Sequence, residues 1–302
     1  MLTVTCGWKL RAGWCARPRC RPERLERQPG LDRPHIFRMR TNCASELGQG
    51  QIAQRALLRE DETLKLLVLQ HAAVEHPGVF RRFLEEDGHT YDAVELDEGE
   101  ALPSLDGYEG LWVMGGPMDV WQEEAHPWLK DEKAFIREAV EDRGLPFLGL
   151  CLGHQLLAEA LGGSVAPSDT PEIGVMDVQM TEEGASGVIL DGLPEVFPCL
   201  QWHSAEIKQM PAGAVCLATS PDCVVQAMKW GTRAYSAQFH IEVEADTVAN
   251  WADIPEYKSA LEGAMGDGAT QRLAADVGAR MNDFNAMAER LYINWMQTSA
   301  QT

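Results

Sequence analysis

The chain has 302 residues, of which 45% are hydrophobic and 24% are charged, and this length suffices for one large globular domain or two small ones. No apolar run approaches the ~20 residues that a membrane-spanning helix needs, so we expect no membrane partner. The formal net charge of −20 argues against nucleic acid as a partner, because phosphate binding needs a basic surface.

The first 62 residues differ in composition from the rest of the chain. Residues 1–60 contain 12 Lys and Arg against 5 Asp and Glu, so the acidic excess lies in the remainder. The segment is rich in Arg and Pro and has no sustained hydrophobic period, and Glu23, Glu26 and Asp32 interrupt any basic targeting helix. We therefore predict that residues 1–62 are a disordered N-terminal extension, or an upstream stretch outside the mature protein.

Beyond this segment, short apolar runs alternate with helical patterns. Strands are predicted at 64–70, 91–96, 111–114 and 146–150, and helices at 77–86, 127–142 and 152–161. This alternation predicts an α/β fold, with a flavodoxin-like, mostly parallel sheet flanked by helices. In such sheets the chemistry lies beyond the carboxyl ends of the strands, where His71, Gly115-Gly116 and Cys151 fall.

The segment Gly149-Leu150-Cys151-Leu152-Gly153 joins the fourth strand to its helix. A nucleophile with a glycine two residues away on each side is typical of the strand–turn–helix elbow of hydrolases, here with sulfur in place of oxygen. The tight turn requires glycine because larger side chains would collide, and the positive end of the helix stabilises a thiolate. A lone cysteine in an apolar segment is usually an inert core residue, but the two glycines favour a catalytic one.

From residue 163 onward the pattern changes. Shorter strands are predicted at 175–180, 187–190, 199–203, 214–219, 223–228 and 234–239, and helices follow from residue 244, with an interruption near 263–268. The last helix, predicted over 269–296, carries an apolar stripe that most simply packs on the body of the domain, with a subunit interface as the alternative. We therefore predict one domain at residues 63–252 and a C-terminal helical extension at 253–302 packed on it.

A thiolate nucleophile needs a base and a group that orients the base. His240 and Glu242 follow an apolar strand, and residues two apart on an extended segment point to the same face. Glu242 can then fix the tautomer of His240, although a strand-end His beside a solvated Glu is an equally frequent arrangement. An acyl-transfer oxyanion also needs donors, which the backbone N–H groups of Gly116 and Leu152 can supply.

Three further polar residues are candidates for substrate binding, and ordinary surface roles compete with this reading for His203 and Glu206. Gln155 lies one helical turn after Cys151 on the same face, where its amide can meet the polar end of a substrate. His203 and Glu206 lie in a second polar cluster at a strand end. His203 is the second choice of base, and Glu206 suits a substrate amine. We expect no metal and no cofactor.

The eight cysteines form no Cys-x-x-Cys pair and lie at irregular spacing, at positions Cys6, Cys15, Cys20, Cys43, Cys151, Cys199, Cys216 and Cys223. A catalytic thiol also needs a reducing environment. The cysteine pattern therefore predicts free thiols and a cytoplasmic protein rather than a disulfide scaffold.

Three motifs together resemble the class I glutamine amidotransferase domain: Gly-Gly-Pro-Met at 115–118, Gly-Leu-Cys-Leu-Gly-His-Gln at 149–155 and Gln-Phe-His-Ile-Glu at 238–242. The resemblance covers about residues 64–250, and it is greatest to a stand-alone branch similar to the glutaminase part of GMP synthase. It implies Cys151 as nucleophile, His240 as base, Glu242 as its orienter, an oxyanion hole at Gly116 and Leu152, and a glutamine contact at Gln155.

Two departures from the synthase pattern concern the substrate and the partner. Trp202-His203-Ser204-Ala205 replaces a Ser-His-Gly-Asp segment that helps to hold the α-groups of glutamine. No ATP-binding loop or synthetase domain follows the three motifs, so ammonia would need a partner enzyme, or there is no acceptor and the enzyme is a simple hydrolase. Relatives of this branch include γ-glutamyl peptidases, which cut the same amide with a larger leaving group.

The leading hypothesis is a cysteine-dependent amidase. It would hydrolyse the γ-amide of glutamine through a glutamyl thioester, giving glutamate and ammonia for a synthetase subunit. The alternatives are a γ-glutamyl peptidase that releases an amine, a cysteine hydrolase of another acyl substrate, and a non-catalytic binding module of the same fold.

Overall fold

The computed structural model describes residues 63–299, so the predictions for residues 1–62 and for four of the eight cysteines lie outside the described residues. Within 63–299 the strands are β1 Lys65–Gln70, β2 Thr90–Glu95, β3 Gly110–Val113, β4 Phe147–Leu150, β5 Ser164–Met180, β6 Val196–Gln209, β7 Val215–Thr219, β8 Ala227–Trp230 and β9 Ala234–Ala237.

The helices of the same part of the chain are α1 Phe80–Glu86, α2 Trp128–Arg137, α3 Leu152–Ala160, α4 Glu182–Ser186, α5 Thr247–Trp251, α6 Pro255–Met265, α7 Ala269–Ala279 and α8 Met281–Ser299. A π-helical turn, Glu138–Asp142, continues α2.

All of these strands join one sheet in the order β2–β1–β3–β4–β9–β8–β7–β5–β6. The pairs from β2 to β9 are parallel, and those from β9 to β6 are antiparallel. The predicted α/β class, with parallel strands flanked by helices, is confirmed. The antiparallel half contains two long strands, β5 and β6, of which the sequence pattern predicted only the parts at 175–180 and 199–203.

The core has two layers because successive side chains of a strand point to opposite faces of the sheet. On β1, Leu66 and Val68 join one buried cluster with the C-terminal helices, whereas Leu67 and Leu69 join a second cluster with α2 and α3. The inner strands β1, β3 and β4 are therefore buried on both faces, which explains their apolar runs, whereas the edge strand β2 is largely exposed.

The C-terminal helix α8 packs against the first cluster. Trp295 is fully buried, donates a hydrogen bond from Nε1 to the carbonyl of Phe147 at 3.1 Å, and meets the ring of Trp112 edge-on at 5.3 Å. Among residues 63–299, no helix combines the length and apolarity required to cross a bilayer. The division of the chain into domains stays a prediction.

Two predictions of secondary structure were wrong. Residues 187–190, predicted as a strand, form turns after α4; Ile189 and Leu190 are apolar because they are buried, at 3% and 2% exposure, and not because they pair in the sheet. The predicted helix over 269–296 is two helices that meet at Arg280. The apolar stripe crosses the break because both helices bury the same side, including Leu273 and Phe284.

Candidate active site

The predicted site residues converge at one edge of the sheet. Strands β1, β3, β4 and β9 are neighbours and run parallel, so their carboxyl ends meet. They are followed by His71, by Gly115-Gly116, by Cys151 and by Gln238 to His240, respectively. This is the edge where open α/β sheets place their ligands.

Cys151 has a strained backbone at the tight turn between β4 and α3. Its φ of +51° is the only positive value at a non-glycine residue among residues 63–299. Its N–H donates to the carbonyl of Ala237 on β9 at 2.8 Å, and the side chain is 6% exposed. Left-handed backbone at a residue with a side chain costs of order 1–3 kcal/mol, and such strain is concentrated at functional sites.

The two flanking glycines are required by close backbone contacts. A Cβ atom on Gly149 would lie 2.5 Å from the carbonyl oxygen of Gly153, and one on Gly153 would lie 2.0 Å from that of Val113. Both contacts are with main chain, which cannot rotate away. The elbow is therefore closed by direct packing of β3, β4 and α3, as the sequence predicts.

His240 and Glu242 form a buried pair. Their side chains meet through Nδ1 of His240 and Oε1 of Glu242 at 2.6 Å, and the residues are 2% and 5% exposed. Burial alone would lower the pKa of His240, but the Glu242 carboxylate and the Cys151 sulfur outweigh it and raise that pKa well above its ordinary value. The other Glu242 oxygen accepts the N–H of Ile241 at 3.0 Å.

Gly116 and Leu152 line the same cavity as Cys151. Leu152 is the first residue of α3, so its N–H has no acceptor one turn earlier in the helix. A Cβ on Gly116 would lie 2.7 Å from Cβ of His71 and 2.8 Å from Cδ2 of Leu152. Glycine therefore lets these two backbone segments approach each other beside the sulfur.

Gln155 lines the cavity, but its amide is tied into the protein. Its Nε2 donates to Oε1 of Gln238 at 3.0 Å and lies 3.3 Å from the carbonyl of Ala205. Gln238 in turn donates from Nε2 to the Cys151 sulfur at 3.5 Å. Sequence reasoning assigned no role to Gln238, although its position two residues before His240 could have placed it on the same face.

The cavity beside Cys151 measures about 250 Å³, slightly below the roughly 300–1,000 Å³ of typical small-molecule sites. Its wall includes His203, Asp119 and Glu256, and among residues 63–299 no Lys or Arg lines it. Burial raises the pKa of the Asp119 carboxyl. The cavity suits a substrate the size of an amino-acid derivative.

His203 and Glu206 occupy different surroundings. The ring nitrogens of His203 lie 3.0 Å from the carbonyl of Ala205 and 3.1 Å from Oε2 of Glu172, so both nitrogens have partners other than Cys151. Glu206 is not among the described residues that line the cavity, and its carboxylate pairs with Lys208 at 2.6 Å. This geometry favours neither the base role of His203 nor the amine-binding role of Glu206.

Glu172, His203 and Cys223 offer three ligand atoms within 4.8 Å of one another, a set that could hold a metal ion. Both oxygens of Glu172 already accept hydrogen bonds, from Ser220 at 2.6 Å and from Gln226 at 2.6 Å. Burial, followed by the charge of Glu172, raises the pKa of the Cys223 thiol to about 12. These hydrogen bonds therefore explain why the polar side chains lie together, and no metal ion is required. The four described cysteines are all free.

Two residues that the sequence did not single out complete the wall behind the site. Tyr257 on α6 lines the cavity and donates its hydroxyl to Glu75. Glu75 is 3% exposed, and its carboxylate lies 2.5 Å from where a Cβ on Gly115 would stand. Burial raises the pKa of Glu75 although His240 opposes this. No local motif links two residues 182 positions apart.

A family model described as glutamine amidotransferase class-I matches residues 79–249. The GMP synthase (glutamine-hydrolysing) of Aeropyrum pernix is 36% identical over 168 residues, which are 54% of this chain and 30% of that protein. The glutamine amidotransferase-like protein YfeJ of Salmonella typhimurium is 31% identical over 183 residues, 59% of this chain and 75% of that protein. This chain thus spans less than a third of the synthase.

Solved structures agree with these matches. The crystal structure of a glutamine amidotransferase from Thermotoga maritima superposes with a TM-score of 0.70 at 28% sequence identity. The alignment covers 78% of this chain and 99% of that one. The shared fold therefore includes nearly the whole of the Thermotoga maritima protein.

Proposed function

Because the chain belongs to the class I glutamine amidotransferase family, we propose that it hydrolyses the γ-amide of glutamine to glutamate and ammonia, with Cys151 as nucleophile. The observation that carries the proposal is the strained Cys151 elbow, with φ of +51°, beside the buried His240–Glu242 pair. A binding module has no need of a buried ion pair next to a strained thiol.

In the first half of the reaction, the Cys151 thiolate attacks the γ-carbonyl carbon and a C–S bond forms. The carbonyl oxygen becomes an oxyanion, which accepts hydrogen bonds from the N–H groups of Gly116 and Leu152. His240, protonated because Glu242 and the sulfur raise its pKa, gives its proton to the amide nitrogen. The C–N bond then breaks, which leaves a glutamyl thioester and ammonia.

In the second half, water attacks the thioester and His240 takes a proton from that water. A second oxyanion forms in the same hole, and the C–S bond breaks to release glutamate and regenerate the thiolate. Glu242 holds the imidazole in one orientation throughout, since its 2.6 Å contact is with Nδ1 and leaves Nε2 for the reacting groups. Gln238, 3.5 Å from the sulfur, positions the thiolate.

The ammonia is passed to a partner. The Aeropyrum pernix relative is a glutamine-hydrolysing GMP synthase, and this chain matches 30% of its length. A separate synthetase subunit that accepts ammonia would supply the remainder of such a reaction. If ammonia passes to such a partner, we expect slow glutaminase activity from the isolated protein and faster activity from the complex.

Replacing Cys151 by alanine tests the chemistry. We expect glutamine hydrolysis to fall by about a thousandfold or more, as for other triad nucleophiles, with an unchanged melting temperature. Ammonia release is measured with purified protein, and a glutamine-derived chloroketone should add to the parent at Cys151 in mass spectra. Undiminished hydrolysis by Cys151→Ala would rule out the mechanism.

A second candidate function is hydrolysis of γ-glutamyl amides whose leaving group is a cationic amine. It is favoured by the cavity wall, where Asp119 and Glu256 are acidic and no Lys or Arg of residues 63–299 contributes. The test compares glutamine with γ-glutamyl amides of a diamine and of a neutral alkylamine of equal length. Preference for the diamine amide that disappears in Glu256→Gln would support this function; glutamine as the best substrate would support the first.

A further inference from the structure

His71 and Glu132 form a buried pair directly behind the predicted oxyanion hole. His71 is 1% exposed and Glu132 is fully buried. Nε2 of His71 lies 2.9 Å from Oε1 of Glu132, and Nδ1 lies 2.8 Å from the carbonyl oxygen of Gly115. The imidazole therefore links a carboxylate of α2 to the peptide that joins Gly115 to Gly116.

Both ring nitrogens of His71 face acceptors. Each nitrogen must carry a hydrogen to donate, so the arrangement selects the imidazolium form. Burial alone would lower the pKa of His71, but the Glu132 carboxylate, with a smaller contribution from Gly115, raises it. The ring of His71 also stacks on Trp128, with centroids 5.5 Å apart and planes 16° from parallel, which fixes the direction of Nδ1.

The orientation of the Gly115–Gly116 peptide decides whether an oxyanion hole exists. In a trans peptide the C=O and the following N–H point in opposite directions, and residues 63–299 contain no cis peptide bond. With the Gly115 carbonyl bonded to His71, the Gly116 N–H points the other way. Gly116 lines the cavity with Cys151 and Leu152, so an N–H that points away from His71 can face the place where the oxyanion forms.

A peptide between two glycines does not hold its own orientation. Neither residue has a Cβ, so rotation of this peptide by half a turn meets little intrinsic resistance. Substitution cannot stiffen it, because a Cβ on Gly116 would lie 2.7 Å from His71 and 2.8 Å from Leu152. The orientation must therefore come from an outside contact, and the hydrogen bond from His71 is such a contact.

We propose that His71, held by Glu132, is a positioning residue that locks the Gly115–Gly116 peptide with its N–H directed at the oxyanion. The inference rests on the proposed function, since an oxyanion hole is needed only if Cys151 performs acyl transfer. His71 contacts neither substrate nor sulfur in this role. It acts through the peptide.

The test uses two variants that differ in one donor. His71→Phe keeps an aromatic ring beside Trp128 but removes the N–H groups, whereas the amide of His71→Asn can reach the Gly115 carbonyl in place of Nδ1. Both carry Glu132→Gln, because an unpaired buried carboxylate would destabilise the protein on its own. Glutamine and γ-glutamyl amide hydrolysis are measured as kcat and KM, and alkylation of Cys151 by iodoacetamide is measured as a rate.

Loss of one oxyanion donor typically lowers kcat by about 10²–10³-fold. We expect that loss in the Phe variant with KM nearly unchanged, and at least a tenfold recovery in the Asn variant. Alkylation by iodoacetamide forms no oxyanion, so its rate should be the same in all proteins. A Phe variant with kcat within threefold of the parent, or equal losses of kcat and alkylation in both variants, would overturn the inference.

Two further results distinguish failure of the proposed function from failure of the role of His71. A parent protein that hydrolyses no glutamyl amide contradicts the proposed function, whereas an active parent with an equally active Phe variant contradicts only the role of His71. If the Phe variant does not fold, His71→Leu combined with Glu132→Gln takes its place, because leucine also removes both N–H groups. A kcat reduced at least fivefold with unchanged alkylation supports the lock, and an unchanged kcat refutes it.

Discussion

Replacement of Gly153 by alanine tests the packing that closes the elbow. Gly153 is the second residue of α3, and its N–H donates to the carbonyl of Met114 at 3.1 Å. An added Cβ would lie 2.0 Å from the carbonyl oxygen of Val113 and 2.7 Å from its carbonyl carbon. Because both atoms belong to the main chain of β3, α3 must move away from the sheet by about 1 Å.

The free-energy cost follows from this displacement. Overpacking of a close contact costs about 1–3 kcal/mol, and each kcal/mol lowers the melting temperature of a domain of 150–250 residues by roughly 2–4 °C. We therefore expect Gly153→Ala to melt about 2–12 °C below the parent. The shift of α3 also moves Leu152 and Cys151, so hydrolysis should fall more than stability alone explains.

Gly278→Ala is the matched control. Gly278 lies in α7, is exposed, and a Cβ there would meet nothing within 4 Å. The same change should stabilise the helix by about 0.5–1 kcal/mol, because alanine is the better helix former. Thermal unfolding by circular dichroism gives both values. Equal melting temperatures for the two variants would refute the packing argument.

Three other predictions concern stability and catalysis. Trp295→Ala should lower the free energy of unfolding in urea by about 3–5 kcal/mol, because removal of a fully buried indole leaves a large cavity. Trp295→Phe should keep most of the parent's stability, and a loss below 1 kcal/mol in the alanine variant would contradict this. Burial lowers the pKa of His154 to about 3 from 6.5, so the unfolded chain binds the extra proton and stability falls as the pH falls through that window. His154→Gln should remove about 1.6 kcal/mol of the change between pH 6.5 and 5, and an unaltered slope would refute this. Glu242→Gln should lower kcat by about 10²–10⁴-fold through misorientation of His240, and unchanged kcat would contradict the pairing.

Local pattern determined the nucleophile elbow. The turn at Cys151 could be predicted from Gly149 and Gly153 because tight turns exclude side chains at fixed offsets, and the positive φ of Cys151 agrees with such a turn. The alternation of extended residues likewise placed His240 and Glu242 on one face, where they meet at 2.6 Å. These features depend on neighbours within five residues, so the chain itself contains the information.

The hydrophobic pattern was misleading where residues are buried without belonging to the predicted strand or helix. Ile189 and Leu190 are buried at 3% and 2% exposure outside any strand, so an apolar run did not mean pairing. The break at Arg280 was not predicted because α7 and α8 bury the same side, so the apolar stripe continues across it. Hydrophobic pattern reports which side chains are buried and leaves the direction of the backbone open.

The surroundings of the site were decided by the tertiary structure. Glu132 reaches His71 across 61 positions of sequence, and Nε2 of His203 is paired with Glu172. Such contacts depend on strand order and on which helix covers which face, and no short-range rule encodes either. The sequence by itself determined the tight turn at Cys151 and the shared face of His240 and Glu242. Only the fold decided what holds them, because that depends on residues distant in the chain whose positions are fixed by packing of the whole sheet.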